Sequence, residues 1–211
     1  MSKQPSTTLG TLFIVSAASG TGKTTLVKKL LETTPDIRLS VSFTTRNKRE
    51  GEQHGVHYFF VSVDEFQAMV ARNAFYEHAI VHGNCYGTSR EWVNEQLNAG
   101  IDVILEIDWQ GAAQMRQQWP DCRSIFILPP DMTVLEQRLR GRGTDSEEVI
   151  TKRLAAAKTE ISHCNEFDYI VVNDDFDVAL NELQAVFTAE RCRTVNQLIR
   201  QRQRLDTFGG A

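Results

Sequence analysis

Eight consecutive residues have the types and spacing to hold a phosphate: Ala17, Ala18, Ser19, Gly20, Thr21, Gly22, Lys23 and Thr24. They are small, carry two glycines and end in Gly-Lys-Thr. Successive backbone N–H groups in such a loop wrap an anion, and a helix starting at its end points its positive pole at the same spot. Lys23 is placed to neutralise β- and γ-phosphate charge, and the Thr24 hydroxyl to face a Mg²⁺ ion. The usual motif begins with Gly where this chain has Ala17, which leaves that turn less free to take a positive φ. A second group follows. Arg46 and Arg49 are three residues apart in a Gly-containing loop, with Tyr58 close in sequence. Planar guanidinium groups suit bidentate contact with phosphate, and a phenol adds a neutral donor. Alone, R-x-x-R is more often a solvated charge cluster. Beside a P-loop it implies a second phosphate site, and hence a phosphoryl acceptor.

The elements that must position these residues are legible in the apolar pattern. Residues 12–15 form a buried-strand run ahead of the loop, and Leu26, Leu30 and Leu31 follow at helical spacing. Strand, small-residue loop, Gly-Lys-Thr and helix is the context a P-loop needs. Pro35 closes that unit. A strand is expected over 39–43, a loop or hairpin over 44–57, and a helix opened by the capping box at residues 62–65. A short strand is expected over 75–81, a turn-rich loop over 82–87, and a helix capped by Thr88 or Ser89 and stopped by Gly100. Strands at 101–107, 124–128 and 169–172 alternate with helices at 111–119, from a capping box at Thr133 toward Arg140, from about Ile150 to Ile161, and over 176–190. That alternation predicts an α/β fold with a mostly parallel sheet covered on both faces. The stretch 42–88 fits it poorly and reads as an inserted small lobe.

A chain of 211 residues with 41% apolar content has enough for one α/β domain with a real core. Its net charge of −4 gives no global attraction to nucleic acid. An anionic ligand must then be held by local arginines and lysines. The N-terminal ten residues resemble no signal peptide, and no apolar run reaches membrane-spanning length. The four cysteines are scattered without a C-x-x-C pair, which favours reduced thiols in a cytoplasmic protein.

Two other patterns are set aside. His78, His82 and Cys85 superficially suggest metal ligands, but they fall on strand and turn without an evident fourth ligand. Residues 108–111 match the D-x-x-G element of a GTPase, yet the chain lacks the N-K-x-D that reads guanine in such proteins.

Around these motifs the sequence resembles the guanylate kinase family. The likeness runs through residues 40–46, 49–52, 55–58, 63–66, Glu77, 83–88, 105–111, 141–144 and 172–174, in that order and spacing. It reaches to about Glu190. It implies a P-loop nucleoside-monophosphate-kinase-like parallel sheet with an inserted GMP-binding lobe (42–88) and a helical lid (133–154), followed by a basic tail (191–211). The implied reaction is transfer of the γ-phosphoryl group of ATP to GMP, and to dGMP, with Mg²⁺. By position, Arg46, Arg49, Tyr58 and Tyr86 would grip the GMP phosphate, and Ser42, Glu77, Thr88 and Asp108 would meet the guanine. Arg142 and Arg153 would reach the transferring phosphoryl group with Lys23. Arg138 and Asn173 would lie on the ATP side. Guanine shows a donor edge that one carboxylate accepts in a fork, while adenine would leave Glu77 unpaired.

No general base is needed, because the acceptor oxygen of GMP is already ionised at neutral pH. Positioning and charge neutralisation suffice. The reading from another class is a non-catalytic guanylate-kinase-like module that grips phosphoprotein with the same lobe. Lys23, Thr24, Arg142 and Arg153 favour the enzyme. The expected partners are ATP and GMP, with no nucleic acid and no membrane. The tail, with Val195, Leu198 and Ile199 apolar, could pack on the core or on a second subunit as a homo-oligomer.

Overall fold

The computed structural model describes residues 10–81, 83–141, 143 and 146–209. β1 (Leu12–Ala17) runs through the centre, with Leu12, Phe13, Ile14 and Val15 all buried. α1 (Lys23–Thr33) follows the small-residue loop and buries Leu26, Val27 and Leu30. Thr34 has already turned extended ahead of Pro35, as the residue before a proline must. β2 (Ile37–Leu39) comes next, then β3 (Phe43–Thr44) and β4 (Phe59–Phe60). α2 (Val63–Ala71) opens under the expected capping box: Ser62 Oγ accepts from Glu65 N, and Glu65 Oε2 accepts from Ser62 N. β5 (Phe75–Val81), β6 (Asn84–Ser89), α3 (Arg90–Asn98), β7 (Asp102–Glu106) and α4 (Trp109–Gln118) continue the chain. Then come β8 (Arg123–Leu128), α5 (Met132–Arg140), α6 (Glu147–Ser162), β9 (Tyr169–Val172) and α7 (Phe176–Arg191). α8 (Thr194–Arg200) and α9 (Arg202–Asp206) end it.

Five strands form the main sheet in the order β2-β7-β1-β8-β9, every pair parallel. A strand inside such a sheet needs cover on both faces, and alternate residues supply one to each. Phe13 and Val15 join a core with Leu26 and Leu30 of α1 and Leu183 and Phe187 of α7. The Phe13 and Phe187 rings stack at 3.8 Å. Leu12 and Ile14 join the opposite core, with Val93 and Leu97 of α3 and Met115 of α4. Each such side chain contributes about 1.5–3 kcal/mol by leaving water, so these two layers hold the sheet. All five strands end at one edge. There the chain leaves β1 into the P-loop, β7 toward Asp108 and β9 toward Asn173. β1 also lies where the strand order reverses, which is where open parallel sheets collect their ligands.

The second sheet has the order β4-β3-β6-β5 and is mixed in direction. Its own small core is Phe66, Met69 and Phe75, with Phe43 packed against it. At the far edge of the main sheet, Asp102 is fully buried. Its Oδ2 accepts from Arg191 Nε at 2.7 Å, and its Oδ1 accepts from Thr11 N at 2.8 Å and from Arg200 Nη2 at 3.4 Å. Those two arginines fold the basic tail back onto the core.

Four local expectations are corrected. The strand expected over 39–43 is two strands in two sheets. Leu39 pairs with Ile104 of β7 while Phe43 pairs with Gly87 and Phe59, so one alternating run changes partners in its middle. The turn-rich loop expected over 82–87 is mostly β6, which pairs with β5 from Asn84 onward; Gly83 takes a φ of 79°. The helix expected to cap at Thr133 is capped by Asp131, whose Oδ1 accepts from Val134 N at 2.8 Å. Asp108 likewise starts α4 two residues earlier than expected, accepting from Gly111 N at 2.8 Å.

Candidate active site

The P-loop is shaped by two left-handed residues, Gly20 at φ 95° and Gly22 at φ 93°, which a side chain would strain. Gly22 also has no room for one: a Cβ there would collide with Asn173 Nδ2. Between them, the Thr21 carbonyl is clamped. It accepts from Asn173 Nδ2 at 2.6 Å and from Arg138 Nη1 at 3.3 Å, while Arg138 Nη2 donates to Asn173 O at 3.0 Å. Two residues expected on the ATP side thus fix the loop's backbone. Ala18 is buried against Leu135, Leu139 and Ala157, so α5 and α6 seat directly on the loop.

The helix that follows is left open. α2 to α7 each begin under a Ser or Asp whose side chain accepts from a first-turn N–H. α1 has Gly22 in that place, no side-chain cap and no acid in its first turn. Its orphan N–H groups and positive pole face a cleft of about 290 Å³ lined by residues 18–25. Lys23 is half-buried there. Burial pulls its ammonium below the ordinary lysine range, against the attraction of Glu106, Glu160 and Asp108. Thr24 is exposed on the first turn. Glu160 is half-buried on α6; burial pushes its carboxyl up, while the Ser19 amide and the Lys23 ammonium oppose the shift. Glu106 Oε1 and Glu160 Oε2 are buried without a hydrogen-bond partner.

The second cluster lies on the smaller sheet and the loop ahead of β4. Arg46 Nη2 donates to Glu52 Oε1 at 2.7 Å, and Arg49 N donates to Glu52 Oε2 at 2.8 Å. This pairing pulls the Glu52 carboxyl down to about 2, mainly through Arg46. The Arg46 guanidinium lies over the Tyr58 ring at 5.3 Å. Tyr58 and Tyr86 meet edge to face at 6.0 Å. Glu77 is buried, and Thr88 Oγ1 donates to its Oε1 at 2.6 Å. Burial pushes the Glu77 carboxyl up, partly offset by Thr88 and reinforced by Asp108. Ser42, Tyr58 and Thr88 line a cleft of about 100 Å³ together with Ser40 and Glu106.

The expected residues therefore fall into two groups. Ala17 to Thr24, Arg138 and Asn173 build one, and Arg46, Arg49, Tyr58 and Tyr86, with Glu77 on Thr88, build the other. Arg153 is half-buried on α6, two turns before Glu160. Arg142 lies outside the described residues, as does His82. Three carboxylates were not anticipated. Glu52 could have been found three residues after Arg49. Glu106 stands where the apolar run 103–105 ends, a position that marks a strand terminus. Glu160 carries no local signal, because Lys23, whose charge it attracts, is far away in sequence.

A family model described as guanylate kinase matches residues 10–190. The guanylate kinase of Escherichia coli K12 is 58% identical over 201 residues, which cover 94% of this chain and 95% of that protein. That of Salmonella typhi is also 58% identical, with the same coverage. A crystal structure of guanylate kinase from Anaplasma phagocytophilum superposes with a TM-score of 0.73 at 34% identity, covering 94% of this chain and 95% of that one.

Proposed function

The chain belongs to the guanylate kinase family, and from that premise we propose how its residues divide the work. The reaction is transfer of the γ-phosphoryl group of ATP to GMP, giving ADP and GDP. ATP lies on the P-loop, its phosphates met by the open N-terminus of α1 and by Lys23. The observation that carries this reading is the contrast in caps: only α1, among the seven longer described helices, starts without a side chain on its first N–H groups. Arg138 and Asn173 hold the loop in shape through Thr21.

GMP lies on residues 42–88. Arg46, Arg49, Tyr58 and Tyr86 take its phosphate, with Glu52 aligning the arginines beforehand. Glu77 accepts from guanine N1–H and N2–H₂, helped by Asp108, and Ser42 donates to the opposite side of the base. Thr88 has one hydroxyl proton and gives it to Glu77, so its part is to hold that carboxylate in place. The acceptor oxygen needs no base. Residues 133–154 act as the lid. Arg153 and Arg142 then stabilise charge that develops only during transfer, so they act on kcat. Closure excludes water and protects ATP from hydrolysis.

The residues present fit Mg²⁺. Thr24 offers an exposed hydroxyl at the mouth of the cleft, and Glu106 keeps a buried carboxylate oxygen without a partner. Hard oxygen donors of this kind, few in number, suit an ion shared with nucleotide phosphates. When bound, Mg²⁺ neutralises phosphate charge. Four unpaired cysteines support a cytoplasmic setting. Retention of Lys23 and Thr24 favours catalysis over a binding module. A coupled assay with Mg-ATP and GMP, dGMP, AMP, CMP or UMP tests the reading. GMP should be the best acceptor with dGMP next; equal turnover of AMP would overturn the guanine assignment.

A further inference from the structure

β5 changes register partway along. Phe75 pairs with Ser89 and His78 with Gly87, so two residues, Tyr76 and Glu77, stand opposite one, Thr88. The extra residue makes a β-bulge, which re-aims the side chains beside it. Phe75 points into the small core of the second sheet, with Phe66 and Met69. Gly87 faces the same way, because a Cβ on it would meet the Phe75 ring at 3.0 Å. Its neighbour Thr88 therefore faces the other way. In a regular strand Glu77 would share the face of Phe75. It instead accepts from Thr88 Oγ1 at 2.6 Å, and His78 returns to the face of Phe75, their rings 6.5 Å apart. The bulge thus turns the Glu77 carboxylate out of the small core and onto the side of Thr88, which lines the cleft of about 100 Å³.

The bulge is clamped from the main core. Tyr76 is buried among Val93, Leu97 and Met115 rather than with Phe75. Its hydroxyl donates to Asn94 Oδ1 of α3 at 2.6 Å, its ring meets Trp119 edge to face at 5.6 Å, and the Arg90 guanidinium lies over that ring at 4.5 Å. Gln118, at the end of α4, closes the clamp: its Nε2 donates to the Tyr76 carbonyl, and its Oε1 accepts from Arg90 Nη2. A bulge disrupts the ladder, so a backbone group there needs a partner from elsewhere. Gln118 is that partner. One strand residue is fixed by α3 and α4 while the next presents the carboxylate.

We propose that Tyr76 and Gln118 are positioning residues for acceptor recognition: by clamping the β5 bulge to α3 and α4 they aim Glu77 at the acceptor base. The inference rests on the reading of Glu77 as the residue that accepts from guanine. It makes the clamp and Glu77 act as one unit.

The test is a double-mutant cycle on the full chain, read as kcat/KM for GMP and as KM for ATP. Gln118→Glu keeps the size and a partner for Arg90 but sets a carboxylate oxygen against the Tyr76 carbonyl. It should lower kcat/KM for GMP about tenfold while KM for ATP moves less than about twofold, because the P-loop lies on other elements. Tyr76→Phe keeps the ring and loses only the bond to Asn94, and should cost about fivefold for GMP. In the Glu77→Gln background neither substitution should cost anything further, since the carboxylate they aim is gone. Thermal unfolding of each variant separates loss of fold from loss of rate, and if Gln118→Glu does not fold, Tyr76→Phe reads the same coupling. A parental kcat/KM for GMP in either folded variant refutes the proposal. So does a full single loss repeated in the Glu77→Gln background, or a KM for ATP that rises as much as kcat/KM for GMP falls. In each of these cases the reading of Glu77 stands if Glu77→Gln alone slows GMP turnover. If Glu77→Gln leaves GMP kinetics unchanged, that reading fails and this inference falls with it.

Discussion

The two halves of the site are prepared for their ligands in opposite ways. The P-loop is held open. Its helix lacks a cap, its Thr21 carbonyl is tied by Arg138 and Asn173, and its Ala18 is buried under α5 and α6. The residues on the second sheet are instead paired with one another. Arg46 is on Glu52, and Glu77 is on Thr88. A rigid, unsatisfied donor array suits a triphosphate, because every N–H is waiting for the same kind of oxygen. A pre-paired array suits discrimination, because partners already in place fix which donors and acceptors remain for the ligand and how they are aimed. On the proposed reading, the donor side contributes strength and the acceptor side choice.

That contrast can be broken at several points. The largest effect is expected from Lys23→Ala, which should lower turnover by roughly 10²–10³-fold, the scale of losing one preorganised charge at the reacting group. Unfolding should stay cooperative and the affinity for GMP unchanged. Near-normal turnover in a folded variant would remove Lys23 from catalysis. Glu77→Gln should come next. An amide places an NH₂ against one guanine donor, and kcat/KM for GMP should fall by about 2–4 kcal/mol in activation free energy. AMP turnover should rise slightly, since adenine N1 and N6 suit an amide.

Smaller effects sharpen the comparison. Asn173→Ala frees the Thr21 carbonyl, so KM for ATP should rise about tenfold, the scale of one hydrogen bond to a preorganised loop, with KM for GMP unmoved. Equal effects on both substrates would mean that the clamp serves the whole fold. The pH profile gives the mildest test. On the proposed reading, Glu77 must be ionised to accept from both guanine donors, and burial raises its pKa above the ordinary carboxylate range. KM for GMP should therefore climb as pH falls through that raised value, before the enzyme unfolds. KM for ATP should not follow the same limb, and Glu77→Gln should flatten it. A profile identical in parent and variant would assign the limb to another group.

How much of this was legible in the sequence depended on how far apart the partners lie. The P-loop could be read whole because its residues are consecutive and its chemistry is carried by backbone. The strand–loop–helix context needed only the apolar run at 12–15 and the leucines of α1. The Thr21 clamp could not be read. Asn173 and Arg138 reach Thr21 from positions 152 and 117 residues away, and nothing local in any of the three announces it. Leu39 to Phe43 misled because alternation reports that a strand has two faces, not which sheet takes it. Asp108 was expected only beside guanine, and in the structure it caps α4. A capping Asp and a binding Asp look the same in sequence. Glu52 was nearer to hand. Its position three residues after Arg49 puts a carboxylate within reach of the loop's own backbone.

The most direct test of the division is a crossed calorimetric titration. A non-hydrolysable ATP analogue and GMP are titrated separately into the parent protein, Lys23→Ala and Glu77→Gln. Lys23→Ala should lose affinity for the ATP analogue and bind GMP as the parent does. Glu77→Gln should lose affinity for GMP and bind the analogue as the parent does. If either substitution weakened both ligands to a similar degree, the two clusters would not be separate sites and the account of a strong donor half and a selective acceptor half would be wrong.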